Sequence, residues 1–201
     1  MLVFEKYYHI YNHANGDENL FREQKNYAYF LEKYEQHINP IAETIAWCLM
    51  PNHFHLLVKI KTEDEITSTF PKFKTLEKLK TLEAKSNFLS KQFANFFSSY
   101  TQSFNKIYER RGSLFLKNFK RKEIVDENYL RNLILYIHLN PIKHGFTDII
   151  SDWKWSSYAF FPVIQQAIFQ LLFDDEENYS YIHQTKKNHF GEYENLENEL
   201  T

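Results

Sequence analysis

Apolar and polar positions alternate loosely over residues 3–12, a stretch rich in Tyr and Ile, and a period of two predicts a strand. Asn15-Gly16-Asp17 marks a turn. Over residues 22–37 the period lengthens: Tyr27, Phe30, Leu31 and Tyr34 share one helical face, and Asn39-Pro40 ends the helix. Residues 41–49 and 53–60 predict two further strands. Only Met50-Pro51-Asn52 joins them, which is too short for a crossover and so requires an antiparallel hairpin. Residues 62–86 are charged and read as partly loop. Residues 87–109 carry Phe88, Phe93, Phe96, Phe97, Tyr100 and Phe104, a helical stripe that belongs to a core rather than to a base-stacking platform.

Arg110-Arg111-Gly112 interrupts that helix, and residues 113–124 read as a strand bearing basic side chains. Asp126 is suited to cap a helix running to about Leu139, because its carboxylate accepts from the first free backbone amides. Pro141 disfavours helical geometry at Asn140 and is expected to end it. Residues 153–172 hold packing aromatics and a short helix. The order strand–helix–strand–strand–helix–strand predicts an α+β protein: a ferredoxin-like antiparallel sheet with helices packed on it. The expected division is one domain over residues 1–173 and an acidic tail over 174–201.

Composition narrows the class. Hydrophobic residues make up 43% of the 201 positions, enough for a sizeable core, and only 4 Gly and 5 Pro argue against a loop-rich chain. The single cysteine, Cys48, cannot form an internal disulfide and sits in an apolar run as a small hydrophobe. Charges in Met1-Leu2-Val3-Phe4-Glu5-Lys6 interrupt any signal-peptide core, and no run approaches the ~18 apolar residues of a membrane span. A cytoplasmic protein with no membrane partner is expected.

Net charge is −2, yet it is unevenly distributed. Lys72 to Lys122 holds 13 basic and 3 acidic residues, whereas Asp174 to Thr201 holds 8 acidic and 2 basic. Such asymmetry fits a local polyanion site; a solvated lysine-rich helix gives the same count. Arg110, Arg111, Lys117, Lys120, Arg121 and Lys122 are the candidate DNA-backbone contacts.

Two clusters could carry chemistry. In a strand, His53 and His55 point to one face, about 7 Å apart along the strand, while Phe54, Leu56, Val58 and Ile60 point to the other. Two imidazoles so placed can converge on one divalent ion, although a chance pair on a solvent face looks the same. Tyr136 and Asn140, four residues apart, share a helix face and offer a nucleophile and an amide oxygen. With 14 tyrosines in the chain, composition alone does not single out Tyr136. His9 and His13, on the first strand, could lie near such a metal; His138 and His144 read as structural. Trp153, Trp155 and Tyr158 read as packing residues that lock the helix carrying Tyr136.

Pro51-Asn52-His53-Phe54-His55-Leu56-Leu57-Val58, preceded by Cys48-Leu49-Met50, resembles the HUH motif of the single-tyrosine transposases. Tyr136-Ile137-His138-Leu139-Asn140-Pro141, with Trp155-Ser156-Ser157-Tyr158 beyond it, is similar to the REP-associated tyrosine transposase branch. Arg110-Arg111-Gly112-Ser113-Leu114-Phe115 and Phe119-Lys120 match in kind, so the resemblance spans roughly residues 5–161. It implies that His53, His55 and Asn140 bind Mg²⁺ or Mn²⁺, and that Tyr136 attacks the scissile phosphate to form a 5′-phosphotyrosine. It also implies single-stranded DNA with hairpins, formed by repeated palindromes, as the partner, and a monomer or homodimer as the acting unit.

His13-Ala14-Asn15-Gly16 departs from the arginine and glycine expected there, so DNA contacts at that turn differ from the family pattern. The alternative function is a domesticated, catalytically silent hairpin-binding protein. A plasmid-type replication initiator or relaxase shares the motif but in a different order.

Overall fold

The computed structural model describes residues 1–187. Strand β1 (Tyr7–His13) is followed by helix α1 (Gln24–His37), then β2 (Ala42–Met50) and β3 (His53–Ile60). Helix α2 (Glu63–Thr69) precedes the long helix α3 (Leu82–Ile107) and strand β4 (Lys120–Ile124). Helix α4 (Glu127–Lys143) leads through a loop to α5 (Phe161–Ile164), α6 (Gln166–Phe173) and α7 (Glu176–Lys186). The sheet runs β2-β3-β1-β4 with all neighbours antiparallel, the ferredoxin-like arrangement expected from the element order. Among the described residues no helix is long and apolar enough to cross a membrane.

Period-two alternation gives the sheet two different faces. Tyr8 and Ile10 of β1 and Phe54, Leu56 and Val58 of β3 pack against Phe30 and Tyr34 of α1 and Phe93, Phe96 and Tyr100 of α3. This aromatic layer is the larger core. The residues between them face the other way, where Leu57, Cys48 and Met50 meet Leu133, Ile134 and Ile137 of α4. Helix α4 therefore lies across the face of the sheet opposite α1 and α3.

Four expectations from the pattern need correction. Residues 62–86 are largely helical rather than loop: α2 has a reciprocal cap between Thr62 and Glu65, a 3₁₀ stretch spans Pro71–Lys78, and Thr81 caps α3. The charges there lie on solvated faces and conceal short periods. Strand β4 is shorter than residues 113–124, because Gly112 and Asn118 take positive φ and leave Phe115 only an isolated bridge to Ala14.

Pro141 does not end α4. It removes one amide donor, but the following turn closes through His144 N to Asn140 O at 3.0 Å. The helix stops at Gly145, with φ +69. There Gly145 N bonds Ile142 O and Phe146 N bonds Pro141 O, a Schellman closure that favours glycine.

Finally, the acidic stretch beyond Phe173 begins with α7. Asp175 caps it through Asn178 N, and Glu176 and Glu177 sit in its first turn, where the helix dipole favours negative charge. Tyr179 and His183 are buried against the second core. The acidic residues from Glu192 onward lie outside the described residues.

Candidate metal and nucleophile site

The register between β1 and β3 sets Tyr11 opposite His55 and His13 opposite His53. Directly opposed residues share a face, so His9, Tyr11, His13, His53 and His55 form one aromatic surface. Helix α4 closes over it. Tyr136 and Asn140, one turn apart, are both turned inward, with 1% and 0% exposure.

The two elements meet atom to atom. His53 Nε2 lies 2.9 Å from Asn140 Oδ1, and its Nδ1 lies 2.8 Å from Asn52 Oδ1. The Tyr136 ring stands edge-on to His55, with centroids 5.2 Å apart, and edge-on to His9 at 6.4 Å. His9 Nε2 lies 3.0 Å from His55 Nδ1, which fixes the His55 ring and leaves its buried Nε2 without a hydrogen-bond partner. His13 stacks on His53 at 4.6 Å, and its buried Nε2 also lacks a hydrogen bond.

Burial dominates the electrostatics. Desolvation lowers His53 to about 3, and the nearby His13 adds to the fall. It likewise lowers His9 to about 3, helped by Lys122, and holds His55 well below the ordinary range. These imidazoles are neutral at physiological pH and retain the lone pairs a metal needs. A neutral imidazole has one N–H, yet His53 faces an amide oxygen at each ring nitrogen. If Nδ1 donates to Asn52, then Nε2 and Asn140 Oδ1 are two acceptors facing each other.

A divalent ion suits such a pair. Ligands about 2.1 Å from an octahedral ion stand roughly 3 Å apart when adjacent, close to the separation seen. Among the described residues no three His, Cys, Asp or Glu side chains form a metal cage by themselves. The Asn140 amide oxygen stands beside His53 Nε2 as a further candidate donor. The orphaned His55 nitrogen and the His53–Asn140 pair thus fit the ligand set read from the sequence.

The candidate DNA contacts divide by location. On β4, Lys120 pairs with Tyr11 and Lys122 with His9, so both lie on the histidine face; Arg121 pairs with Ile10 and lies on the other. Lys122 Nζ sits 4.8 Å from the Tyr129 ring. Lys117 and Arg121 line a groove beside α3. Arg111 is exposed in the turn after α3. Arg110 is held by Glu18 at 2.6 Å and by Asn105 Oδ1 at 2.8 Å, contacts that brace this turn against the β1–α1 loop.

Lys143 is a site residue that sequence reasoning missed. Its buried Nζ lies 5.6 Å from the Tyr136 ring centroid. The signal was present in its spacing, seven residues after Tyr136 and three after Asn140. His138, also on α4, points away from the site. It meets Ser157 Oγ at 2.9 Å, His183 Nε2 at 3.2 Å and Tyr179 Oη at 3.1 Å. Trp153 donates to Leu49 O, whereas Trp155 stacks on Tyr27 in the other core.

A four-stranded antiparallel sheet with paired histidines beneath a tyrosine-bearing helix places the chain in the α+β class. No family model matches the chain. A REP-associated tyrosine transposase of Haemophilus influenzae is 28% identical over 118 residues, spanning 58% of each protein. A solved structure of a REP-associated tyrosine transposase bound to a REP hairpin has the same fold, with TM-score 0.52 and 16% identity over 80% of this chain and 81% of that one. The chain is thus similar in sequence to one REP-associated tyrosine transposase and in fold to another, the resemblance its motifs indicated. The sequence match reaches somewhat over half the length of the Haemophilus protein.

Proposed function

We propose that this protein cleaves and rejoins single-stranded DNA near hairpins. His53, His55 and Asn140 hold Mg²⁺ or Mn²⁺, and Tyr136 is the nucleophile. One observation carries the reading: residues 87 positions apart in sequence meet at 2.9 Å, with Tyr136 against the adjacent His55. A purely structural core has no need to bring these four side chains together.

The bound divalent ion would supply Lewis-acid neutralisation of the phosphate oxygens. His9 and Asn52 orient the two imidazoles, as outer partners of metal ligands do. The Tyr136 oxygen forms a bond to phosphorus while the bond to the 3′ oxygen breaks. The phenol loses one proton and the leaving 3′ oxygen gains one, so the step is proton-neutral. Phosphotyrosine retains the ester bond, and reversal by a 3′-hydroxyl rejoins the strand. Lys120 and Lys122, on the histidine face of the edge strand, would carry phosphates toward the site.

The alternative is hairpin binding without cleavage. It draws on the burial of Tyr136, since phosphate must reach a side chain that is 1% exposed. Incubation with single-stranded hairpin DNA flanking the gene, in Mn²⁺, separates the two. A denaturation-resistant protein–DNA adduct is expected. Tight binding without any adduct would favour the silent reading.

A further inference from the structure

A sizeable cavity lies away from the histidine site. It is an open groove of about 670 Å³ between α3 and the segment from Ser113 to Arg121, within the roughly 300–1,000 Å³ range of ligand sites. Its floor is aromatic, with Phe97, Phe115 and the partly exposed Phe119. Its α3 wall repeats at helical spacing, and the side chains there are hydroxyls and amides: Ser90, Ser98, Thr101 and Gln102. No acidic side chain lines it, while Lys91, Lys117 and Arg121 do. The Arg121 guanidinium stands 5.4 Å from the Phe119 ring centroid, placing a cation beside an aromatic surface.

We propose that this groove receives unpaired nucleobases of a single strand, seated on the Phe119 floor, with their phosphates held by Lys117 and Arg121. Three features select this occupant. Rings with polar walls suit planar heterocycles that stack and hydrogen-bond at their edges. An acid-free cationic lining suits a polyanion. Bases inside a duplex are already stacked and cannot present a face to Phe119, so the strand must be single. The outer strand β4 links groove and site, because its cations alternate: Lys120 and Lys122 on the histidine face, Arg121 on the groove side. A strand crossing this edge could place a phosphate at Tyr136 and neighbouring bases in the groove. The inference deepens the DNA reading above and rests on it.

Ala94 lines the groove from an exposed position on α3, so Ala94→Trp fills it without altering charge or either core. The probes are a short mixed-sequence single strand and an abasic strand of equal length, bound to the full chain and followed by fluorescence anisotropy. Wild type is expected to prefer the base-bearing strand about tenfold or more per seated base. Ala94→Trp should erase that preference while keeping abasic-strand affinity and its salt dependence. If Ala94→Trp retains the preference, the groove is not the base site. If wild type binds both strands equally, no base site exists, although the DNA-backbone reading survives. Failure to bind either strand at low salt would overturn both.

Discussion

Helix α4 separates two groups of buried histidines. In front of it lie His9, His53 and His55, with the partly buried His13 stacked on His53; at its rear, the helix's own His138 meets His183. Burial lowers the proton affinity of both groups, to about 3 for His53 and about 4 for His183. Their hydrogen bonding differs. At the rear, His183 Nδ1 donates to Tyr179 O, so its Nε2 accepts from His138 Nδ1. The remaining His138 nitrogen accepts from Ser157 Oγ, which in turn receives Trp47 N. Every ring nitrogen has a partner, and the network joins α7, α4 and β2. At the front, His55 Nε2 and His13 Nε2 have no hydrogen bond, and His53 Nε2 faces an amide oxygen. Burial and a depressed pKa are therefore shared by structural and candidate ligand histidines; an unsatisfied lone pair distinguishes them.

The sharpest test lies at the front. Tyr136→Phe should abolish the covalent DNA adduct on a denaturing gel while changing stability by less than about 1.5 kcal/mol. Tyr129→Phe is the control, and an adduct that vanishes only in that variant would move the nucleophile there. Next, His53→Ala or His55→Ala should eliminate Mn²⁺ binding by calorimetry and cleavage with it. Normal cleavage by both would remove the metal assignment.

His9→Ala, which removes an orienting partner, should weaken Mn²⁺ about 10–100-fold. At the rear, His138→Ala should leave Mn²⁺ affinity intact yet lower unfolding stability by about 1–3 kcal/mol, because buried partners lose their bonds. Equal effects of His9→Ala and His138→Ala on Mn²⁺ would erase the distinction between the groups.

Acid sharpens the comparison further. The unfolded chain protonates these imidazoles below their ordinary value of 6.5, whereas native His183 resists until about 4. The unfolded state then binds more protons, so stability is full above that ordinary value and falls as pH drops toward 4. The loss is about 1.4 kcal/mol per pH unit for each such imidazole. His183→Leu should give a shallower decline in thermal melts; an unchanged slope would mean that the rear pair takes no part.

The smallest expected effect is on salt dependence. Charge reversal at Lys120, Arg121 and Lys122 together should flatten the log–log salt slope of DNA binding, by about 0.7 per lost single-strand phosphate contact or 0.9 per duplex contact. An identical slope would make the basic run a solvated surface.

What the residues determined alone is the order of the elements along the chain and the identity of the sheet's two faces, because periods of two and 3.6 are local properties. The His53–His55 pair was legible for the same reason: strand alternation puts both on one side. Tyr136 and Asn140 were legible as helix neighbours, and the resemblance supplied the roles proposed for them. Local chemistry misled at Pro141, where a glycine four residues later closes the helix, and over the acidic stretch, where the charges cap α7 and hide Tyr179 and His183.

Tertiary structure alone decided which histidines meet. The β1–β3 register places His13 on His53 and His9 near His55, and a one-residue slip would have turned them to the other face. The crossing of α4 likewise set Asn140 against His53 and brought Lys143 to Tyr136. Those contacts depend on long-range pairing and packing, which no local period encodes.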